Sequence, residues 1–245
     1  MAVTNDLART SAVRLAARAT TWTDDFRLGG AFLFVAGATI LMGIITAEAL
    51  YPGTFSTGAN EISDLGGTRP PEGIVLQPSA TIFNVSMTLI GVLLMSGSWF
   101  VHRAFGSRAV SIPIAVLGIG ALGVGLFPGN TGAPHATFAM VTFVSGGIAA
   151  LTTARVASGP FRYLSYLLGA AALATLGTYM LLGDGSPMAV LGIGGVERWI
   201  VYPVVLWVTA FGGYLSGRAD GRRDVVSAEP DRSTEAAGSA SVATR

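Results

Sequence analysis

The segment between the first two apolar runs of this sequence is dense in side chains that could do chemistry. Residues 60–66 have the sequence NEISDLG, which places an amide, a hydroxyl and two carboxylates within seven positions. Such groups accept or donate hydrogen bonds, and a carboxylate can also act as a general acid or base. A pure spacer need not concentrate acids in this way, so the segment is a candidate for ligand binding.

The candidate binding residues combine this segment with polar residues near the ends of the apolar runs. They are Glu48, Asn60, Glu61, Ser63, Asp64, Asn84, His135, Glu197 and Arg198. Each alone has an ordinary structural explanation: a helix dipole favours Glu197 at a helix N-terminus, and Arg198 can extend to lipid headgroups. As a set they are more informative, because Arg198 can pair with one carboxylate and leave others for a ligand. No catalytic residue is assigned among them.

Composition limits the chemistry that these residues could perform. The chain has no cysteine, and all fifteen of its basic residues are arginine, which excludes thiolate metal ligands, a cysteine nucleophile and a lysine Schiff base. It has two histidines, His102 and His135, whereas a zinc site usually needs several His or Cys ligands. We therefore expect no metal and no cofactor. A Gly-x-Ser-x-Gly elbow is absent too, while acid–base chemistry by Glu61 or Asp64 with His135 stays open.

The elements that position these residues are predicted to be membrane-spanning helices. Hydrophobic residues make up 51% of the chain and charged residues only 12%, about half the 25% that is typical of soluble domains. Apolar runs of about 20 residues are long enough to cross a bilayer as helices. We predict an all-α, polytopic bundle of six spans, at residues 28–50, 79–101, 109–127, 135–154, 163–182 and 197–216.

The arginines indicate how this bundle is oriented. Thirteen of the fifteen fall in the termini and loops of one side, and only Arg69 and Arg198 fall on the other. By the positive-inside rule, both termini are then cytoplasmic, and every candidate binding residue lies at the outer face of a cell membrane. Residues 1–27 are predicted to be a cytoplasmic segment, residues 28–216 the transmembrane domain, and the polar residues 217–245 a disordered cytoplasmic tail.

The first outer loop is predicted to contain a short interfacial helix at residues 56–66. Ser56 or Thr57 could cap its N-terminus, and Gly66 could end it as a left-handed residue. Such a helix would cover the outer ends of the bundle as a lid.

Four motifs, in order, resemble a known family. Tyr51-Pro52 with residues 62–66 (ISDLG) follows the first span, Phe83-Asn84 opens the second, residues 125–129 (GLFPG) with His135 join the third and fourth, and Glu197-Arg198 starts the sixth. Over about residues 28–216 the chain resembles the bacterial and archaeal membrane proteins of domain-of-unknown-function family 998. The resemblance implies a six-helix membrane protein and supplies no activity.

Three functions are consistent with this sequence. The first is an integral membrane protein whose outer polar pocket binds a lipid or another amphiphile. The alternative is a membrane-embedded hydrolase or transferase acting on a lipid or envelope precursor, and the third is a small transporter. An apolar cleft would favour binding, His135 bonded to Asp64 or a serine would favour an enzyme, and a water-lined path to the midplane would favour transport. Membrane lipids are the expected partners, nothing supports nucleic-acid binding, and the oligomeric state is not indicated.

Overall fold

Six long helices form the chain in a computed structural model, which describes the backbone of residues 2–242 and the side chains of residues 23–220. These residues contain no strand. The long helices are α1 (Ala2–Ala49), α2 (Ser79–Phe105), α3 (Arg108–Leu126), α4 (Ala133–Thr153), α5 (Pro160–Leu182) and α6 (Gly192–Val242). Each contains a segment long and apolar enough to cross a membrane. The predicted all-α bundle of six spans is therefore confirmed.

Local sequence explains where several of these helices end. Gly106 terminates α2 in the left-handed conformation, with φ 64°, and its N–H donates to the His102 carbonyl. That conformation is strained for residues with a Cβ atom, so glycine is favoured there. After the loop between α4 and α5, Pro160 is the first residue of α5, a position where its missing N–H costs no helical hydrogen bond. The loops between α2 and α3 and between α4 and α5 are accordingly short.

The helices are arranged so that neighbours in sequence are also neighbours in space. α1 packs against α2 and α6, α2 against α3, and α3 against α4. α4 also contacts α6 directly, and α5 packs against both. The fully buried side chains of Leu33, Val101, Trp207, Phe211 and Leu215 fill one part of the bundle.

Small residues let the helix backbones approach closely. A Cβ atom at Gly118 of α3 would lie 2.8 Å from the Gly91 carbonyl oxygen of α2, and one at Gly169 of α5 would lie 2.8 Å from the Gly147 carbonyl oxygen of α4. Both distances are shorter than van der Waals contact, so larger residues would force the helices apart.

The loop between α1 and α2 differs from its prediction in two respects. A helix is present, but it is a 3-10 helix of four residues, Ile62–Leu65, rather than a helix over residues 56–66. The Asn60 side chain accepts the Ser56 N–H at 2.9 Å, and Asp64 Oδ2 accepts the Glu61 N–H at 3.0 Å. Such local side-chain bonds compete with helical bonds. Gly66 is right-handed, with φ −86°, so its predicted left-handed conformation is wrong.

The predictions for the two termini lie mostly outside the described side chains. α1 includes residues 2–27 and α6 includes residues 217–242 as helical backbone, where the sequence predicts a cytoplasmic segment and a disordered tail. The domain boundaries at 27/28 and 216/217 stay predictions.

Candidate functional site

Residues 51–78, here called the cap, dock on one end of the bundle. The Ser79 hydroxyl at the start of α2 donates to the Leu65 carbonyl at 3.2 Å, and the Gly194 N–H of α6 donates to the Gly58 carbonyl at 2.9 Å. Ile62 and Leu65 of the short helix are buried in the main hydrophobic core. The cap is thus packed on the helices rather than extended into solvent.

Arg198 is the main polar connection between the cap and the bundle. One terminal nitrogen donates to the carbonyls of Thr57 at 2.9 Å, Asn60 at 3.0 Å and Gly194 at 3.0 Å. The other donates to Glu48 Oε1 at 2.6 Å. The guanidinium therefore joins α1, the cap and α6, and it is buried instead of reaching lipid headgroups. The predicted pairing of Arg198 with a carboxylate is confirmed, and the carboxylate is Glu48.

Glu197, the sequence neighbour of Arg198, holds the short helix. Its carboxylate accepts the backbone N–H groups of Ile62 and Ser63. The first N–H groups of a helix have no partner within the helix, and a buried acceptor satisfies them. Glu197 is itself buried, so the two adjacent charged residues of α6 bind two different parts of the cap.

Two acids of the cap, Glu61 and Asp64, form a local network. Glu61 pairs with Arg69, and Asp64 Oδ2 accepts the Glu61 N–H. Burial raises the pKa of the Glu61 carboxyl above its usual value, the Arg69 charge opposes this shift, and the Asp64 charge adds to it. These contacts lie within the cap, so they order its backbone.

Asn84 connects α2 to the end of the short helix. Its Nδ2 donates to the Gly66 carbonyl at 3.2 Å. Its Oδ1 is buried and has no hydrogen-bond partner among the described residues. A Cβ atom at Gly66 would lie 2.3 Å from that oxygen, so only glycine lets Asn84 approach the cap this closely.

A central cavity of about 80 Å³ lies beneath the cap. Its walls are apolar side chains of α1, α2, α3, α4 and α6, while α5 does not line it. The lining residues with polar side chains are Ser63, His135, Thr142 and Glu197. The Thr142 hydroxyl donates to the Phe138 carbonyl of its own helix at 2.8 Å. The polar groups that remain for a ligand are therefore those of Ser63, His135 and Glu197.

His135 lines this cavity and has an acceptor nitrogen without a protein partner. Its Nδ1 lies 2.9 Å from the Phe127 carbonyl oxygen. A carbonyl only accepts, so Nδ1 carries the hydrogen and Nε2 of the neutral ring is the acceptor. Among residues 23–220, Nε2 has no hydrogen-bond partner, and neither does the Ser63 hydroxyl. Unpartnered groups at a cavity are available to a bound molecule.

The nine predicted binding residues therefore divide into two groups by what they contact. Ser63, His135 and Glu197 line the cavity, and Glu197 also attaches the cap. The others order the cap or attach it to the helices: Glu48, Asn60, Glu61, Asp64, Asn84 and Arg198. His135 does not hydrogen-bond to Asp64 or to a serine among the described residues. Within residues 23–220, no group of three or more His, Cys, Asp or Glu side chains is placed to hold a metal ion.

Sequence reasoning missed the apolar walls of the cavity. Phe83, Met87, Ile90 and Leu94 line it from α2 at helical spacing. This spacing was a visible signal, but it is equally typical of helices packed without a cavity.

Comparison with curated proteins and with solved structures gives no match. A family model described as "Protein of unknown function (DUF998)" matches residues 34–214. The matched region begins within α1, ends within α6, and includes the whole cap and every residue that lines the cavity. The chain therefore belongs to the DUF998 family of proteins of unknown function.

Proposed function

We propose that this integral membrane protein binds a lipid or another amphiphile in the central cavity, with the headgroup beneath the cap. The observation that carries the proposal is the division of the cavity: its walls are apolar, and its available polar groups belong to three residues, Ser63, His135 and Glu197. Ligand cavities typically combine apolar walls with a few polar groups that orient the ligand. An amphiphile likewise combines an apolar chain with a polar headgroup.

The size of the cavity suits part of one chain. Along α6 it extends from Glu197 to Val208, about 16 Å at 1.5 Å per residue. An apolar cavity of about 150 Å³ binds benzene, so the volume of about 80 Å³ admits a shorter or thinner apolar group. Lipid tails are as apolar as the cavity walls, so a chain gains little by leaving the bilayer. Selectivity then depends on the polar end.

A second candidate is an enzyme that acts on a lipid or envelope precursor at the same place. Nε2 of His135 is an unpartnered acceptor at the cavity, which is a requirement for a general base. This candidate ranks below binding because the His135 ring is oriented by the Phe127 carbonyl rather than by a carboxylate. Transport ranks third, because Trp207, Phe211 and Leu215 are fully buried in the bundle core and the cavity walls are apolar.

Co-purification followed by mass spectrometry tests the binding proposal. Ala139 lines the cavity, so Ala139→Leu inserts methyl groups into it. Ala170 is exposed on α5 outside the cavity, so Ala170→Leu is the matched control. We expect the native protein and the control to retain a bound amphiphile that Ala139→Leu loses, with all three equally folded. Equal lipid content in the three proteins would contradict the proposal.

The proposed location is the cell membrane, with both termini cytoplasmic and the cap outside. The arginine distribution supports this orientation. Because the chain has no cysteine, single cysteines can report it: Glu72 and Ser158 are exposed in loops of opposite sides. A membrane-impermeant maleimide should label Glu72→Cys in intact cells and Ser158→Cys only after permeabilisation. The reverse pattern would place the cap in the cytoplasm.

A further inference from the structure

The two arginines at this end of the bundle, Arg69 of the cap and Arg198 of α6, are not free to bind a ligand in the cavity. Arg198 donates to three backbone carbonyls and to Glu48. Arg69 pairs with Glu61 and is largely exposed. Neither residue lines the cavity. In the part of the chain that the structure describes, no arginine side chain is therefore directed at the polar end of the cavity.

The groups that do face the cavity favour hydrogen-bond donors. His135 is only 5% exposed, and its unpartnered Nε2 is an acceptor in the neutral ring. The Glu197 carboxyl accepts when it is ionised and supplies no positive charge in either protonation state. The Ser63 hydroxyl can accept or donate. A headgroup with hydroxyl hydrogens can satisfy this set, whereas a phosphate has no cation to pair with.

We propose that the cavity selects amphiphiles whose headgroup donates hydrogen bonds and carries no negative charge, such as an alcohol or polyol, over phosphorylated amphiphiles. This inference rests on the proposed binding function and deepens it by naming the headgroup chemistry. A buried anion is strongly disfavoured unless it is paired. Anion sites in proteins accordingly use Arg, Lys or helix N-termini to supply the positive charge.

A matched pair of lipids tests the selection directly. 1-Octanoylglycerol and 1-octanoyl lysophosphatidic acid have a short chain that suits the length of the cavity; they share the same chain and the same glycerol, and they differ only in the phosphate. Each is titrated into the purified full-length protein in a nonionic detergent, and the bound fraction is measured by native mass spectrometry. We expect the octanoylglycerol to bind at least tenfold more tightly. Equal or tighter binding of the phosphorylated lipid would overturn the selection while leaving amphiphile binding intact, and binding of neither lipid would overturn both proposals.

A variant assigns the selectivity to His135. His135→Asn keeps an N–H that can donate to the Phe127 carbonyl but removes Nε2. We expect this variant to retain the unfolding temperature of the native protein and to bind octanoylglycerol about tenfold more weakly. Thr137→Val is the control, because Thr137 is exposed two residues further along α4. Unchanged affinity in His135→Asn would remove Nε2 from the proposal, and the comparison of the two lipids in the native protein decides the selection even if the variant fails to fold.

Discussion

Replacing Arg198 by Gln should destabilise the protein far more than the same change at Arg69. Both arginines lie at the cap and both pair with a glutamate. Their surroundings differ: the Arg198 side chain is 10% exposed and the Arg69 side chain is 61% exposed. The comparison therefore removes an arginine–glutamate pair at both sites, but only at Arg198 is the pair largely buried and the guanidinium also bonded to backbone carbonyls.

The magnitude follows from what each change leaves behind. Arg198→Gln leaves Glu48 without its cation and removes donors from the carbonyls of Thr57, Asn60 and Gly194. Breaking a buried ion pair costs about 3–5 kcal/mol. Because the Glu48 side chain is 24% exposed, water compensates part of the loss, and we expect about 3 kcal/mol. An exposed pair such as that of Arg69 contributes about 0.2–1 kcal/mol.

The assay is the free energy of unfolding of the purified protein in mild detergent, titrated with a denaturing detergent. The double variant Glu48→Gln/Arg198→Gln completes a mutant cycle, and we expect a coupling energy of about 1–3 kcal/mol between the two side chains. A loss below 1 kcal/mol at Arg198, or a loss equal to that at Arg69, would refute the reasoning that this guanidinium attaches the cap.

Three further changes should alter the free energy of unfolding, the first two at the cap or at its contact with α6. Burial raises the pKa of the Glu61 carboxyl, so the stability linked to its protonation is present below its unfolded pKa and is lost as pH rises through the raised folded pKa. Glu61→Gln should therefore flatten the fall in unfolding free energy over this pH range. An unchanged pH profile in the variant would contradict this prediction. Gly194→Ala should destabilise by about 1–3 kcal/mol, because its Cβ atom would lie 2.0 Å from the Asn60 carbonyl oxygen. Gly177→Ala, with nothing within 4 Å, should stabilise α5 by about 0.5–1 kcal/mol in the same unfolding measurement.

The membrane-spanning architecture was predictable because length and apolar composition determine which segments can cross a bilayer. Four of the predicted spans have ends that differ from those of α2 to α5 by only a few residues.

The residue pattern at 56–66 was less informative. It resembles a capped helix, but the side chains of Asn60 and Asp64 bond nearby backbone N–H groups, and a pattern read at helical spacing does not include that competition.

The candidate residues were predictable as a set, but their roles were not. Polar side chains near the ends of membrane helices are costly without partners, which is why Glu48, Glu197 and Arg198 were recognisable. Which partner each one takes depends on contacts that are distant in sequence. Arg198 bonds to Glu48, 150 residues away, and Glu197 bonds to Ile62, 135 residues away. No local pattern specifies such pairings.

Some polar groups beneath the cap have a protein partner and others do not, and this difference determines how many groups at the polar end of the cavity can bind a ligand. If every polar residue only held the cap, each buried group would have a protein partner, as is usual in folded proteins. Most do, and their substitution should act on stability. At this end three do not: Asn84 Oδ1, whose residue does not line the cavity, and the Ser63 hydroxyl and Nε2 of His135, whose residues do. A folded protein retains such groups where a bound molecule or water satisfies them, so substitution of the two residues that line the cavity should change binding before it changes stability.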